Sequence, residues 1–297
     1  MAINKYCYIS GRHLPPFFGI KHRIVWSHIE TVSALSEILH PAVRAGLKAS
    51  GFDDEEGVEL HHQGDLPARS GIGSSSAFAV GLINVLHAMR GKTLEKVALV
   101  DAAIDLERNH LHETVGCQDQ VASAHGGLNV IRFRMNGTID VEPIDLTEGM
   151  RHDFERHLMV FYTGTSRLSS TLSKQLVDNL KTKEKHLLRM LEMVPEALTL
   201  LQRGDFDSFG RMLHETWTIK RSLTGSISTG VIDRIYEDAL RAGALGGKLL
   251  GAGGAGFMVF VVPPDRQDKV REALSHLISV PVRTDLSGST IIYRQDA

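Results

Sequence analysis

The chain has 297 residues, with 33 Lys and Arg against 35 Asp and Glu, and a formal net charge of −2. This length allows a full hydrophobic core and two lobes, whereas the balanced charge, without a basic stripe, argues against a nucleic-acid partner. The longest apolar runs, such as 257–262, are strand-sized and too short to span a membrane. Two cysteines and no secretory-signal pattern at the N-terminus predict a cytoplasmic protein without a disulfide framework.

Short strands and two helices are predicted for the first half of the chain. Residue composition predicts strands over 4–10, 23–28, 58–62, 127–133 and 139–143. Apolar residues at helical spacing predict helices over 74–89 and 94–111. A polar, charged stretch at 147–156 then predicts a boundary between two domains, 1–150 and 151–297.

Long helices between short strands are predicted for the second half. The expected strands cover 157–162, 257–262, 280–284 and 290–294. The expected helices cover 171–201, with an interruption at 194–195, and 206–220, 231–242 and 266–277. Strands and helices mixed without regular alternation predict an α+β fold rather than a doubly wound sheet.

A glycine- and serine-rich segment stands immediately before the predicted helix over 74–89. Its residues include Pro67, Arg69, Ser70, Gly71, Ile72, Gly73, Ser74, Ser75 and Ser76. Glycines let a backbone approach a ligand closely, and the free N–H groups of a helix N-terminus attract anions, so the segment predicts a phosphate site. It is not a Walker A loop, because no Gly-Lys-Ser/Thr follows. The alternative is a glycine turn followed by a serine N-cap.

Glu107 falls on the apolar face of the predicted helix over 94–111, together with Val97, Val100 and Ile104. A carboxylate on such a face is costly unless it is paired or binds a metal ion. The alternative is a glutamate at the edge of the apolar stripe, which reaches solvent or pairs with Arg108.

Asp119 lies between two amides, Gln118 and Gln120, at the predicted start of a short helix. It could be an N-capping aspartate. It could instead be a carboxylate that accepts a proton from a substrate hydroxyl. The residues alone leave both alternatives open.

A second glycine-rich run, 246–256, leads into the predicted strand over 257–262 and contains Gly251, Gly253 and Gly254. Flexible loops rarely lead straight into a core strand. The run therefore favours a glycine-lined wall against a ligand over a flexible hairpin.

Two cations of the second half are candidates for anion contacts. Thr165, Ser166 and Arg167 follow a predicted strand and could clamp a phosphate, although a surface arginine explains Arg167 equally well. Lys220 follows Trp217 on a predicted helix, where helix packing by the tryptophan and a solvated charge on the lysine are expected.

Three of these segments, in this order and spacing, resemble the GHMP kinases, the group of galactokinase, homoserine kinase, mevalonate kinase and phosphomevalonate kinase. They are the loop 67–75, the pair Glu107 and Asp119, and the run 246–256. A narrower resemblance, to D-glycero-D-manno-heptose 7-phosphate kinases, extends over nearly the whole chain through 4–8, 40–44, 115–120, 163–167 and 246–256. Related fucose-type sugar kinases share much of this pattern.

The resemblance implies a two-lobed α+β fold with an N-terminal βαβ-containing, ATP-binding domain and a C-terminal ferredoxin-like domain. It implies transfer of the ATP γ-phosphoryl group to the anomeric hydroxyl of a sugar phosphate, here a heptose 7-phosphate. The loop residues and the three glycines named above would bind ATP, Ser75 and Glu107 would hold Mg²⁺, and Asp119 would act as the catalytic base. The substrate would meet Gln120, Thr165, Ser166 and Arg167, with Arg167 at its phosphate.

The sequence departs from the family pattern at two places. Relatives have, before the segment that matches 4–8, a strand and a glycine-rich turn ending in Thr-Asp, and this sequence starts at Met1, after that point. The start is therefore clipped or misassigned, or the chain works differently, or it does not catalyse. Ala255 stands where relatives often have glycine.

A small-molecule substrate is the expected partner. Two other functions stay open, namely a kinase for a fucose- or galactose-type sugar and a catalytically silent sugar-phosphate sensor. The oligomeric state is open as well, with a homodimer among the options.

Overall fold

The computed structural model describes residues 1–68, 70–164 and 180–295, which form two compact units. The first unit comprises 1–68, 73–127 and 285–295, and the second comprises 70–72, 128–164 and 180–284. Contacts within the fold define these units, and they need not coincide with family domains. The predicted division into 1–150 and 151–297 therefore stays a prediction.

The first unit is built on a four-stranded mixed sheet. Its strands are β1 (Cys7–His13), β2 (His22–Val25), β3 (Ile29–Val32) and β4 (Val58–Gly64), in the order β1-β4-β2-β3. β1 is antiparallel to β4, β2 is antiparallel to β3, and β2 is parallel to β4. The helix α1 (Pro41–Ala49) lies between these parallel strands in the chain. This arrangement confirms the predicted βαβ-containing domain.

Three more helices complete the first unit: α2 (Ser74–Met89), α3 (Lys96–Asp105) and α4 (Gln118–His125). α2 has the bounds that its apolar spacing predicts, and it packs along β1 with Leu82 and Leu86 buried. A π-helical turn, Leu106–His110, continues α3, so that the two together cover most of the helix predicted over 94–111.

The second unit contains a hairpin and a four-stranded antiparallel sheet. In chain order its elements are β5 (Asn129–Phe133), β6 (Ile139–Pro143), α5 (Glu148–Arg156), β7 (Leu158–Tyr162), α6 (Glu184–Arg203), α7 (Phe206–Leu223), α8 (Gly230–Ala242), β8 (Gly246–Leu249), β9 (Phe257–Val261), α9 (Gln267–Ala273) and β10 (Ile278–Val280). The sheet order is β10-β7-β9-β8, and all its pairs are antiparallel. Helices between β7 and β8 and between β9 and β10 give the β-α-β-β-α-β arrangement of a ferredoxin-like domain. The predicted C-terminal fold is thereby confirmed.

Aromatic rings form the centre of the second unit. Trp217 is fully buried, with its ring centroid 6.0 Å from that of Tyr236, which lies 5.9 Å from Phe260. The predicted packing role of Trp217 is confirmed, and this contact packs α7 against α8. No helix within the described residues combines the length and the apolar content needed to cross a membrane.

Several local predictions were wrong. The polar stretch 147–156 is the helix α5, in which Thr147 Oγ1 accepts a hydrogen bond from Met150 N at 3.2 Å and Phe154 is buried. No helix was predicted here, because a helix with a single buried face can be highly polar. Whether this stretch bounds two domains stays a prediction. α6 continues through Pro195, with Met193 and Leu201 buried on either side of the proline, so the predicted interruption at 194–195 is wrong.

The ends of the other predicted elements shift as well. The predicted helix over 266–277 stops at Ala273, the strand near 280–284 is Ile278–Val280, and 290–294 is not a strand. The glycine run begins with a strand, β8, which its glycines concealed in the sequence. Residues 171–179 of the predicted helix over 171–201 lie outside the described residues.

Candidate active site

The glycine- and serine-rich segment ends at the N-terminus of α2, where a glycine occupies the N-cap. Gly73 has φ +80° and Gly71 has φ +76°, left-handed conformations that favour glycine. The first turn of α2 contains no acidic residue, so nothing in that turn competes with an anion for its free N–H groups and positive dipole end. The alternative of a serine N-cap is wrong, and the helix end suits an anion.

Glu107 places its carboxylate among the serines of that first turn. Ser75 Oγ donates to Glu107 Oε1 at 3.3 Å, and Ser76 Oγ donates to Oε2 at 3.0 Å. Gln120 Nε2 on α4 also donates to Oε2. Glu107 is 1% exposed, so the alternative of a glutamate that reaches solvent is wrong.

The π-helical turn after α3 accounts for this burial. It buries both Leu106 and Glu107, neighbours whose side chains point about 100° apart in an α-helix. A π turn holds one extra residue and changes the directions of its side chains, and such turns are frequent at functional sites. The carboxylate is therefore directed inward by an irregularity that helical spacing does not reveal.

The electrostatics of Glu107 favour a bound cation. Burial raises its pKa, the hydrogen bonds from Gln120, Ser76 and Ser75 oppose this rise, and the nearby Glu113 carboxylate adds to it. Because the pKa is raised overall, the protein does not fully compensate the buried negative charge, and a cation would do so.

The oxygens around Glu107 fit Mg²⁺, which binds one or two carboxylates and takes further ligands from water and substrate phosphates. Ser75, which donates to Glu107 Oε1, is exposed, whereas Glu107 itself is buried. An ion would therefore have to approach the carboxylate from the Ser75 side. Within residues 1–68, 70–164 and 180–295, no three His, Cys, Asp or Glu side chains are grouped to hold a metal. Phosphates and water would therefore have to complete the coordination.

Asp119 lies in the first turn of α4 and is exposed. The N-cap of α4 is Cys117, so the alternative that Asp119 caps this helix is wrong. A Cβ added to Gly73 would lie 3.4 Å from Asp119 Cγ and 3.6 Å from its Oδ2. An exposed carboxylate thus borders the N-terminus of α2.

The glycines of the run 246–256 approach other backbone segments of the second unit. A Cβ on Gly251 would lie 2.5 Å from Gly71 Cα, and one on Gly256 would lie 2.0 Å from Ser70 O. A Cβ on Gly253 would lie 2.8 Å from Ile227 O, and Gly254 N donates to the same oxygen at 2.9 Å. The run is held in place, so the flexible-hairpin alternative is wrong, and at these positions glycine is required by close protein contacts. A ligand contact by Gly251, Gly253 and Gly254 stays a prediction.

Lys220, expected to carry a solvated charge, instead contacts this run. Its Nζ donates to Gly251 O at 2.6 Å and to Leu249 O at 3.3 Å. Burial and the neighbouring Lys248 lower the pKa of Lys220 to about 7. No periodicity in α7 signals this role, because the acceptors are main-chain oxygens about thirty residues away.

Among the remaining predicted site residues, Pro67 is exposed, and Ile72 and Ser74 are half-buried. Arg69, Thr165, Ser166 and Arg167 lie outside the described residues. Ser70 and Gln120 are described and fully buried. The burial of Gln120 and its bond to Glu107 favour a role in holding that carboxylate over the predicted contact with substrate.

Two protein-family models match the parts of the chain that contain the residues described above. The model of the GHMP kinases N terminal domain matches residues 35–127, and that of the GHMP kinases C terminal region matches 197–279. The chain belongs to the GHMP kinases. The matched ranges together cover more than half of the chain and include the α2 N-terminus, Glu107, Asp119 and the glycine run.

The relatives of this chain include sugar kinases. It is 30% identical over 218 residues to the D-glycero-alpha-D-manno-heptose 7-phosphate kinase of Campylobacter jejuni, covering 72% of this chain and 64% of that enzyme. It is 27% identical over 246 residues to an L-fucokinase/L-fucose-1-P guanylyltransferase of Bacteroides fragilis, covering 80% of this chain and 25% of that protein. The chain thus spans less than two thirds of the length of both relatives, and the predicted resemblance to heptose 7-phosphate kinases is confirmed.

A solved structure shows the shared fold. The crystal structure of a D-glycero-D-manno-heptose 1-phosphate kinase from Bacteroides thetaiotaomicron matches with a TM-score of 0.73 at 23% identity. The match covers 98% of this chain and 89% of that one.

Proposed function

We propose that this GHMP kinase transfers the γ-phosphoryl group of ATP to the anomeric hydroxyl of a sugar phosphate, D-glycero-D-manno-heptose 7-phosphate. One observation carries the proposal: the N-terminus of α2 is bordered by Asp119 at Gly73 and by Glu107 at Ser75. An anion-attracting helix end with one exposed and one buried carboxylate beside it suits phosphoryl transfer.

The nucleotide phosphates would lie on the backbone N–H groups of 71–76. Glycine at the N-cap, position 73, leaves the N-terminus of α2 without a covering side chain, and the helix dipole attracts the negative charge. The flanking predicted nucleotide contacts are Pro67, Arg69, Gly251, Gly253 and Gly254.

The reaction needs one proton acceptor. The substrate hydroxyl oxygen bonds to the γ-phosphorus while the bond from that phosphorus to the bridging oxygen of ADP breaks. Asp119 would take the hydroxyl proton, and its exposure leaves room for a sugar beside it. The N–H groups of the α2 N-terminus would stabilise charge on the transferred group.

Glu107 and Ser75 would hold Mg²⁺, which when bound neutralises charge on the nucleotide phosphates. The protein prepares the site without it. Ser76 and Gln120 hold the Glu107 carboxylate in one orientation through hydrogen bonds to Oε2.

The choice of sugar rests on similarity and on Arg167. The Campylobacter relative supports a heptose 7-phosphate, whose distal phosphate Arg167 would clamp with Thr165 and Ser166. The Bacteroides relative supports L-fucose as the second candidate. A cytoplasmic location remains part of the proposal.

A substrate screen tests the proposal. ADP release with ATP and Mg²⁺ is measured for heptose 7-phosphate, other sugar phosphates, L-fucose and D-galactose, and phosphorus NMR locates the new phosphate. We expect the highest kcat/KM with heptose 7-phosphate and phosphorylation at the anomeric oxygen. If a free sugar is the best substrate, the assignment of heptose 7-phosphate is wrong, but the protein is still a sugar kinase. ATP binding without turnover of any sugar, also in a chain that carries the family's upstream glycine-rich turn, would identify a sensor.

A further inference from the structure

The glycine run and the phosphate-binding segment meet backbone to backbone within the second unit. A Cβ on Gly251 would lie 2.5 Å from Gly71 Cα and 2.8 Å from Gly71 O, and a Cβ on Gly71 would lie 2.9 Å from Leu250 O. No side chain fits between the two segments in either direction. The position of Gly71 therefore depends on the position of the turn at 250–251.

Lys220 holds that turn from α7. Its Nζ donates to the carbonyl oxygens of Leu249 and Gly251, which flank the Leu250 carbonyl facing Gly71. α7 is itself anchored nearby by the fully buried Trp217. An amine on a fixed helix thus donates to the carbonyl oxygens on either side of the one that contacts Gly71.

We propose that Lys220 is a positioning residue for nucleotide phosphates, acting through the 249–251 turn on the backbone of Gly71. The part of this inference that concerns nucleotide phosphates rests on the proposed function, because that proposal places ATP at this segment. Gly71 and Ile72 belong to the proposed phosphate-binding segment, so a shift of Gly71 would misplace the N–H groups of these two residues.

The cost of burying this amine favours a local role over general stabilisation. Burial lowers the pKa of Lys220, which means that the folded protein disfavours its charge. Both of its hydrogen bonds go to one turn, which indicates a local role.

The experiment compares Lys220→Met with Lys220→Arg and with Lys269→Met, which removes an exposed lysine from α9 of the same unit. Calorimetry gives the ATP Kd, steady-state rates give the KM for the sugar, and hydrogen exchange reports on peptides that contain Gly71 and 249–251. We expect Lys220→Met to raise the ATP Kd by about 10-fold, the scale of one lost hydrogen bond from a charged donor. Exchange should quicken in both peptides, while the sugar KM and the control variant stay unchanged and Lys220→Arg restores part of the affinity.

Two results would overturn the inference. One is an unchanged ATP Kd with unchanged exchange at Gly71 in Lys220→Met. The other is a lower Tm with faster exchange across the whole second unit, which would make Lys220 a general structural residue. If Lys220→Met does not fold, Lys220→Gln replaces it. If the unmodified chain does not bind ATP, the proposed function fails. Hydrogen exchange of the peptide that contains Gly71, compared between Lys220→Met and the unmodified chain, then tests whether Lys220 positions this backbone.

Discussion

Gly73 and Asp119, far apart in the sequence, are neighbours: a Cβ added to the glycine would lie 3.4 Å from the aspartate Cγ. The N-cap of α2 is therefore a residue without a side chain, placed beside an exposed carboxylate. A branched side chain at position 73 would fill the space between the helix N-terminus and Asp119, where the proposed reaction takes place.

Gly73→Val should abolish ATP binding while the protein stays folded. The branched side chain would cover the phosphate-binding N–H groups, and the left-handed φ of +80° would add strain. Gly137→Val is a matched control, because Gly137 has φ +87° and no neighbour within 4 Å of its Cβ position. Both variants should lose similar thermal stability, and calorimetry should show lost ATP affinity only for Gly73→Val. Normal ATP affinity in Gly73→Val would contradict the assignment of the phosphate site.

Asp119→Asn should lower kcat by about 10²-fold or more, because an amide cannot accept the substrate proton. The ATP Kd should remain nearly unchanged, since Asp119 borders the phosphate site without being part of its N–H groups. Asp101→Asn, an exposed aspartate on α3, controls for the loss of one negative charge. Near-normal kcat in Asp119→Asn would show that another group is the base.

Glu107→Gln should weaken ATP binding in the presence of Mg²⁺ and leave it unchanged without the metal, because a neutral amide is a poor Mg²⁺ ligand. The same variant should have an equal or higher Tm at neutral pH. The raised pKa of Glu107 means that its charge destabilises the fold, a cost present once the pH exceeds the folded pKa. Calorimetric titrations with Mg²⁺ and with EDTA measure the first effect. Equal losses in both titrations would argue against Glu107 as a metal ligand.

Arg167→Ala should raise the KM for the sugar phosphate by about 10- to 100-fold, the range expected when a charge-assisted contact is lost. The KM for ATP should barely change. Unphosphorylated sugars should be poor substrates of the unmodified protein and should respond little to the substitution. A KM increase of similar size for free sugars would mean that Arg167 does not recognise a phosphate.

Acidification should destabilise the first unit through His22. This histidine is fully buried, and its nearest acidic oxygen among the described residues, Asp54 Oδ1, lies 3.7 Å from Nε2. Burial lowers its pKa, so the folded state binds a proton less readily than the unfolded state. The resulting stability is present above the unfolded value of about 6.5 and is lost as the pH falls through it towards the lower folded pKa.

Urea unfolding at about pH 7.5 and about pH 5.5 measures this loss. His22→Leu should show a smaller decrease between the two values than the unmodified chain. His276→Leu, at an exposed histidine of the second unit, should behave like the unmodified chain. Equal decreases in all three proteins would exclude His22 as the source.

Local patterns were sufficient for the elements that carry the site. The bounds of α2 follow from apolar spacing, which reports how one segment buries one face. The same spacing placed Glu107 on the apolar face of its helix, although the π-helical turn that buries its carboxylate is visible only in the structure. The glycine- and serine-rich segment and the Glu107 and Asp119 pair also sufficed for the family. The same kind of pattern failed for α5 and β8, because a polar helix with one buried residue and a glycine-rich strand both resemble loops.

The sequence by itself determined the α+β class and the bounds of α2, and it predicted Glu107 and Asp119 as site residues. Only the tertiary structure decided that Gln120 faces Glu107, that Gly251 meets Gly71 and that Lys220 binds main-chain oxygens near that contact. The physical reason is that periodicity and propensity act within one segment. Contacts between segments depend on how closely two backbones approach, within a few ångströms. Tertiary packing sets this distance, and it produces no periodic pattern in the sequence.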